Sequence, residues 1–193
     1  MWWASRLATL TLVLAACSSS TSPVVTPPPT VAPTGQPATA TPTGYIAFVS
    51  PAAPYRGCYP QTFEAKFDWV DLGVAEGDAF VGGRPGQLPV VVSIVVERAP
   101  SYDTSLYLSD VLANLRGAGF GVEQLDATTV DGVRAERLRF NRLTADGQRY
   151  TIQQVVWANG IQGWVASASS LPGDTDDVAA LVATMLSCFH TGG

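Results

Sequence analysis

Three dipeptides, Asp131-Gly132, Asp146-Gly147 and Asn159-Gly160, punctuate one stretch of this chain, and each lies between runs of strand length. Asp-Gly and Asn-Gly tolerate the positive φ that a tight hairpin demands, which makes them the strongest short-range hairpin signals. They join VEQLDATTV to VRAERLRFN, LRFNRL to QRYTIQQVVWA, and that segment to IQGWVASAS. The spacing therefore predicts four antiparallel strands in a meander. A sheet of this kind needs something to cover its apolar face.

The cover is legible on both sides of the meander. Leu108, Val111, Leu112 and Leu115 recur at helical spacing in DTSLYLSDVLANLRGAG. They form one apolar stripe, with Asp103 or Thr104 to cap its start and Gly117 to end it. Val178, Leu181, Val182, Met185, Leu186 and Phe189 make a second stripe from about residue 174, introduced by Pro172-Gly173-Asp174. Before the first helix, Phe63, Ala65, Phe67 and Trp69 alternate with Glu64, Lys66 and Asp68, as in a half-buried strand. LPVVVSIVVE, residues 88–97, is a continuous β-branched run, the mark of a central strand covered on both faces. The glycine-rich GVAEGDAFVGGRPG between them reads as a hairpin loop. The class is α+β: an antiparallel sheet of about six to seven strands with amphipathic helices packed on it. The double-sided burial of residues 88–97 favours three layers.

At this point the residues resemble a known family. TTVDGVRAERLRFN, GQRYTIQQVVWANGIQGWVASASS and DDVAALVATMLSCF are similar to the PsbP/Mog-like fold family, in its exported bacterial lipoprotein branch of the LpqN type. Val130-Asp131-Gly132 matches the family's turn, Gln153 and Gln154 its long strand, and Met185 to Phe189 its closing helix. The likeness spans roughly residues 88–189, while SPAAPYRGCYP departs from it. It implies an α/β/α sandwich and an accessory or partner-binding habit. It implies no shared catalytic residue.

The amino terminus bears on location. Arg6 precedes an apolar run from Leu7 to Ala16. That run is about ten residues long, where a spanning helix needs roughly twenty, so the layout is that of a signal peptide over residues 1–16. Leu14-Ala15-Ala16-Cys17 resembles a lipobox, which implies diacylglycerol on the Cys17 thiol, cleavage before it and acyl anchoring to the outer face of a membrane. An ordinary cleavage site is the alternative. Residues 18–44 are Ser, Thr or Pro at 18 of 27 positions and carry no charge and no aromatic ring. Such a segment cannot bury enough apolar surface to offset ordering, so residues 17–44 read as a lipidated cysteine and a disordered tether. Its extended reach is at most roughly 80 Å. Glycosylation of the tether and recognition of its prolines stay open. Residues 45–193 then form a single domain.

With Cys17 assigned to lipid, Cys58 and Cys188 remain, near the two ends of that domain. In an exported chain an even remainder reads as one disulfide; two buried thiols are the alternative. The formal net charge is −5, and loss of Arg6 with the leader makes it more negative. That balance argues against nucleic acid as a partner.

Signals of chemistry are few. The chain has one histidine, His190, the fourth residue from the end, and it reads as a solvated tail residue. No metal set of histidine spacing, CxxC pair, GxSxG elbow or phosphate loop is present, so no metal, cofactor or enzymatic role is expected. Asp174, Asp176 and Asp177 read as a helix start more simply than as a calcium site. Arg134, Arg137, Arg139 and Arg142 fall close together in an acidic chain. They mark either an edge strand guarded by charge or a site for an acidic partner or envelope polymer. Trp69, Trp157 and Trp164 belong to the core or line a groove for a small or lipid-like ligand. The expected function is a membrane-anchored, non-enzymatic envelope lipoprotein that presents its domain to a protein or polymer. The alternative is a small-molecule or lipid carrier with a cavity between sheet and helix.

Overall fold

The glycine turns bend the chain as their chemistry requires. Asp131 and Gly132 take φ of 49° and 77°, Gly147 takes 79° and Gly160 takes 64°. A computed structural model describes residues 40–71, 75–83, 89–98 and 103–192. The leader, Cys17 and nearly all of the tether lie outside the described residues. The residues from Thr41 onward cluster as one unit. Its strands are β1 (Tyr45–Val49), β2 (Tyr55–Pro60), β3 (Glu64–Asp71), β4 (Ala75–Gly82) and β5 (Val90–Arg98). Helix α1 (Thr104–Gly117) follows, then β6 (Glu123–Gln124), β7 (Thr128–Val130), β8 (Val133–Leu143), β9 (Arg149–Asn159) and β10 (Gln162–Ser170). A 3₁₀ turn at Pro172–Asp174 leads into α2 (Thr175–Ser187), and β11 (His190–Thr191) ends the fold.

The main sheet has the order β3-β4-β5-β10-β9-β8-β6, with β7 also paired to β8. Every pairing is antiparallel. The fold is α+β as expected, but the sheet has eight strands. The extra strand comes from the glycine-rich segment that reads as a loop. Gly77 and Gly82 sit inside β4, not in a turn. A Cβ at Gly77 would stand 2.4 Å from the Ile94 carbonyl oxygen, and one at Gly82 would stand 2.2 Å from the Phe63 ring. Glycine here permits close packing. VEQLDATTV likewise divides into β6 and β7, both paired with β8.

Strand alternation assigns the two faces. Val92, Ile94 and Val96 of β5 point into a core shared with Phe80, Trp157, Trp164 and the α2 residues Val178, Val182 and Met185. Ser93 and Val95, on the opposite face, are buried as well. Residues 88–97 thus contain the doubly covered central strand that their composition predicts. On the second face the Tyr107 ring of α1 lies where a Cβ at Gly163 would be, at 2.5 Å, and Phe120 packs on Phe140 at 5.0 Å. The helices therefore cover opposite faces. Asp103 caps α1 by accepting the Leu106 N–H at 2.8 Å. The left-handed residue that ends it is Gly119 (φ 86°), not Gly117.

Residues 45–62 build what periodicity leaves undefined: a hairpin of β1 and β2, extended by β11 into a three-stranded sheet. This small sheet shares the layer of α2. Tyr55 stacks on Phe189 at 5.2 Å and meets Trp164 edge-on at 5.5 Å, while Phe48 packs on Phe80 at 5.0 Å. The Cys58–Cys188 disulfide ties β2 to the residue after α2. Opposite the hairpin, the alternation of β3 breaks at a bulge between Lys66 and Val70, where Asp68 takes φ 56°. Phe67 and Trp69 are left 42% and 37% exposed.

Candidate binding cleft

The arginine strand is not an edge. β8 pairs with β9 on one side and with β6 and β7 on the other. Three of its arginines are held by their own neighbourhood. Arg134 pairs with the buried Glu136 at 2.8 Å. Arg137 Nε donates to the Asp126 carbonyl at 2.8 Å. Arg139 grips Glu123 with two bonds, Nε to Oε2 at 3.0 Å and Nη2 to Oε1 at 3.1 Å. Arg142 has no ion pair among the described residues. The four arginines therefore do not form one free basic surface. Glu136 sits two residues from Arg134 on the same strand, but the partners of Arg137 and Arg139 come from β6 and the segment after it, too short for periodicity to mark.

Arg139 does open onto a cleft. Where β8 and β9 approach the start of α2, Glu123, Arg139, Asn141, Thr151, Thr175 and Asp176 line an open space of about 420 Å³. Its walls are fixed by hydrogen bonds. Thr151 Oγ1 donates to Asn141 Oδ1 at 3.2 Å across the β8–β9 pair, and Gln153 Nε2 donates to the Thr175 carbonyl at 2.6 Å. Thr175 Oγ1 donates to the Pro172 carbonyl at 3.0 Å. Asp174 makes no side-chain cap, and Asp176 and Asp177 occupy the first turn of α2, where the helix dipole favours negative charge. No group of three metal-ligating side chains occurs among the described residues.

The tryptophans divide. Trp157 and Trp164 are 0% exposed and stack at 5.9 Å with 7° between their planes. Both belong to the core, the first of the two readings their sequence allows, and neither lines a groove. Phe189 meets both rings edge-on at 5.2 Å and closes the core beside the β9–β10 turn. Trp69 alone of the three reaches the surface.

His190 is not a solvated tail residue either. Its side chain is 16% exposed, and β11 holds it against β2. Nδ1 lies 2.9 Å from Asp131 Oδ1. Asp131 Oδ2 accepts the Thr191 N–H at 2.8 Å and the Thr191 hydroxyl at 2.9 Å. The Val-Asp-Gly turn thus clasps the last strand. No described side chain bonds to the buried Nε2, so the couple activates no nucleophile among the described residues.

Burial by itself would raise the Asp131 pKa, but the bonds from Thr191 and His190 hold it below the ordinary 3.8. A depressed carboxyl stabilises the fold fully above its unfolded value and loses that contribution as pH falls through the folded one. Asp131→Asn is therefore expected to cost about 1–3 kcal/mol at neutral pH. It should also flatten the loss of stability below pH 3.8. Urea unfolding at neutral and acid pH checks both, and an unchanged acid limb would refute the clasp.

Two helices on opposite faces of an antiparallel sheet, closed by the α2 layer, define a PsbP-like α/β/α domain. The chain matches no family model and no curated protein. Solved structures share its architecture. LpqN of Mycobacterium tuberculosis, described as involved in cell envelope biogenesis, aligns with TM-score 0.56 and 13% identity over 77% of this chain and 92% of its own. The cyanobacterial PsbP of Synechocystis sp. PCC 6803 aligns with TM-score 0.50 and 15% identity over 82% of this chain and 97% of its own. A Bacteroides thetaiotaomicron protein aligns with TM-score 0.52 and 13% identity over 76% of this chain, which spans 48% of that protein.

Proposed function

We propose that this protein is a lipid-anchored, extracytoplasmic binding protein without catalytic activity, which presents its PsbP-like domain to a protein or polymer of the cell envelope. The observation that carries the reading is a PsbP-like domain cross-linked by one disulfide between Cys58 and Cys188. Such a bond belongs to an oxidising compartment. The Leu14-Ala15-Ala16-Cys17 leader agrees with that compartment and supplies the anchor. The architecture shared with LpqN supports an envelope role. The cleft beside Arg139 is lined by Glu123, Asn141, Thr151 and Asp176 and suits a polar partner more than an acyl chain.

The test uses the full chain in a bacterium that processes lipoproteins. The mature protein is expected to begin at an acylated Cys17 and to fractionate with membranes. Cys17→Ala should leave the leader uncleaved and the acyl mass absent. Capture from detergent-solubilised envelope should then yield a defined partner, protein or polymer. Recovery of an unacylated protein in the soluble fraction would overturn the anchor.

A further inference from the structure

We propose that the cleft between β8, β9 and the start of α2 binds one or two sugar rings of a neutral glycan. The inference rests on the reading of this protein as an envelope-facing binding module and names the class of polymer. Charge decides first. The charged side chains lining the cleft are Glu123, Arg139 and Asp176, two carboxylates against one guanidinium. Because Arg139 spends Nε and Nη2 on Glu123, little positive charge is left for a phosphate or a uronate. An anionic polymer is disfavoured there, although four arginines stand on the strand.

Hydrogen-bond capacity decides next. Asn141 Oδ1 is occupied by the Thr151 hydroxyl, so the two Nδ2 hydrogens remain to donate. Arg139 retains its Nη1 donors beyond the Glu123 fork. Across the cleft the Asp176 carboxylate only accepts. Donors on one wall and an acceptor on the other suit groups that both accept and donate, which are hydroxyls in adjacent pairs. The rigidity suits them as well. Glu123 faces Arg139, and Asn141 faces Thr151, in strand register. Gln153 ties the α2 wall to β9. Groups held in this way lose little freedom when a ligand arrives. A cleft of about 420 Å³ that is open to solvent admits a stretch of chain from the side. That size lies within the usual range of ligand sites.

The experiment is saturation-transfer NMR on the full chain in an amine oxide detergent, which contributes no sugar. Cellobiose and N,N′-diacetylchitobiose are the neutral probes, and digalacturonate is the anionic one. A neutral probe is expected to bind at millimolar concentration. Asn141→Ala and Asp176→Asn are each expected to weaken it at least tenfold, while Val49→Thr on β1 leaves it unchanged. All of these side chains are exposed, so the variants should fold. Absence of neutral-probe binding, equal affinity in the cleft variants, or tighter binding of digalacturonate would each overturn the proposal. A captured protein partner alongside absent sugar binding would overturn the glycan site and leave the wider reading in place. Sugar binding with no acyl group on Cys17 would do the reverse.

Discussion

Replacing Cys58 and Cys188 together by alanine is expected to lower the unfolding free energy by about 4–5 kcal/mol. The bond closes a loop of 130 residues, so its removal frees nearly the whole domain in the unfolded state. Apart from the cross-link, the β1–β2 hairpin reaches the rest of the domain through aromatic contacts, the Tyr55–Asp78 hydrogen bond and the two-residue β11. A domain of this size is stable by only about 5–15 kcal/mol, so the loss is a large fraction. Alanine is chosen because both sulfurs are buried and a serine hydroxyl would add its own desolvation cost. Urea unfolding of the variant and of reduced wild type should give the same midpoint. A difference from oxidised wild type below about 1 kcal/mol would show that the cross-link does not constrain the unfolded chain.

Asp78→Ala should be nearly as damaging, at about 3–5 kcal/mol. Asp78 is 0% exposed on β4. Its Oδ2 accepts the Tyr55 hydroxyl at 2.5 Å, and its Oδ1 accepts the Asp68 N–H at 2.8 Å. One carboxylate therefore joins β2 of the small sheet to the bulge of β3. Removing it takes the main acceptor from the buried Tyr55 hydroxyl, leaves the part-buried Asp68 amide without this bond and withdraws support from the left-handed Asp68. Burial, followed by the charge on Asp78, raises the Tyr55 pKa far beyond its ordinary value, so the hydroxyl remains a donor at any working pH. Tyr55→Phe should cost about 1.5–3 kcal/mol, because the carboxylate then loses one charge-assisted bond. Asp78→Asn keeps an acceptor and should cost less than alanine. If alanine and asparagine cost the same, charge alone is responsible and the two hydrogen bonds are not.

The readable parts of this chain are those whose cause is local. The Gly132, Gly147 and Gly160 turns require a φ that few residues accept, so sequence neighbours fix them. The apolar stripe at Val178, Val182 and Met185 repeats at the helical period, and α2 follows. The Cys58–Cys188 pair follows from compartment and parity. The α+β class and three-layer arrangement come from these signals together.

The candidate cleft was legible only as far as Arg139, and for a reason that the fold revises. Four arginines in sequence suggested free positive charge, but Glu123 is two elements away in the chain and directly across in the sheet. Asp131 and His190 are 59 residues apart in sequence and within hydrogen-bond distance in space. Gly77 is flexible by composition and tightly enclosed in fact, because the Ile94 carbonyl oxygen leaves no room for a Cβ. The sequence by itself determined turns, periods and the elements they delimit, since these depend on backbone torsions and on which side of a segment avoids water. Only the tertiary structure decided which charges are spent, which rings are buried and which walls make a cleft, since those depend on residues that meet only after the chain has closed on itself.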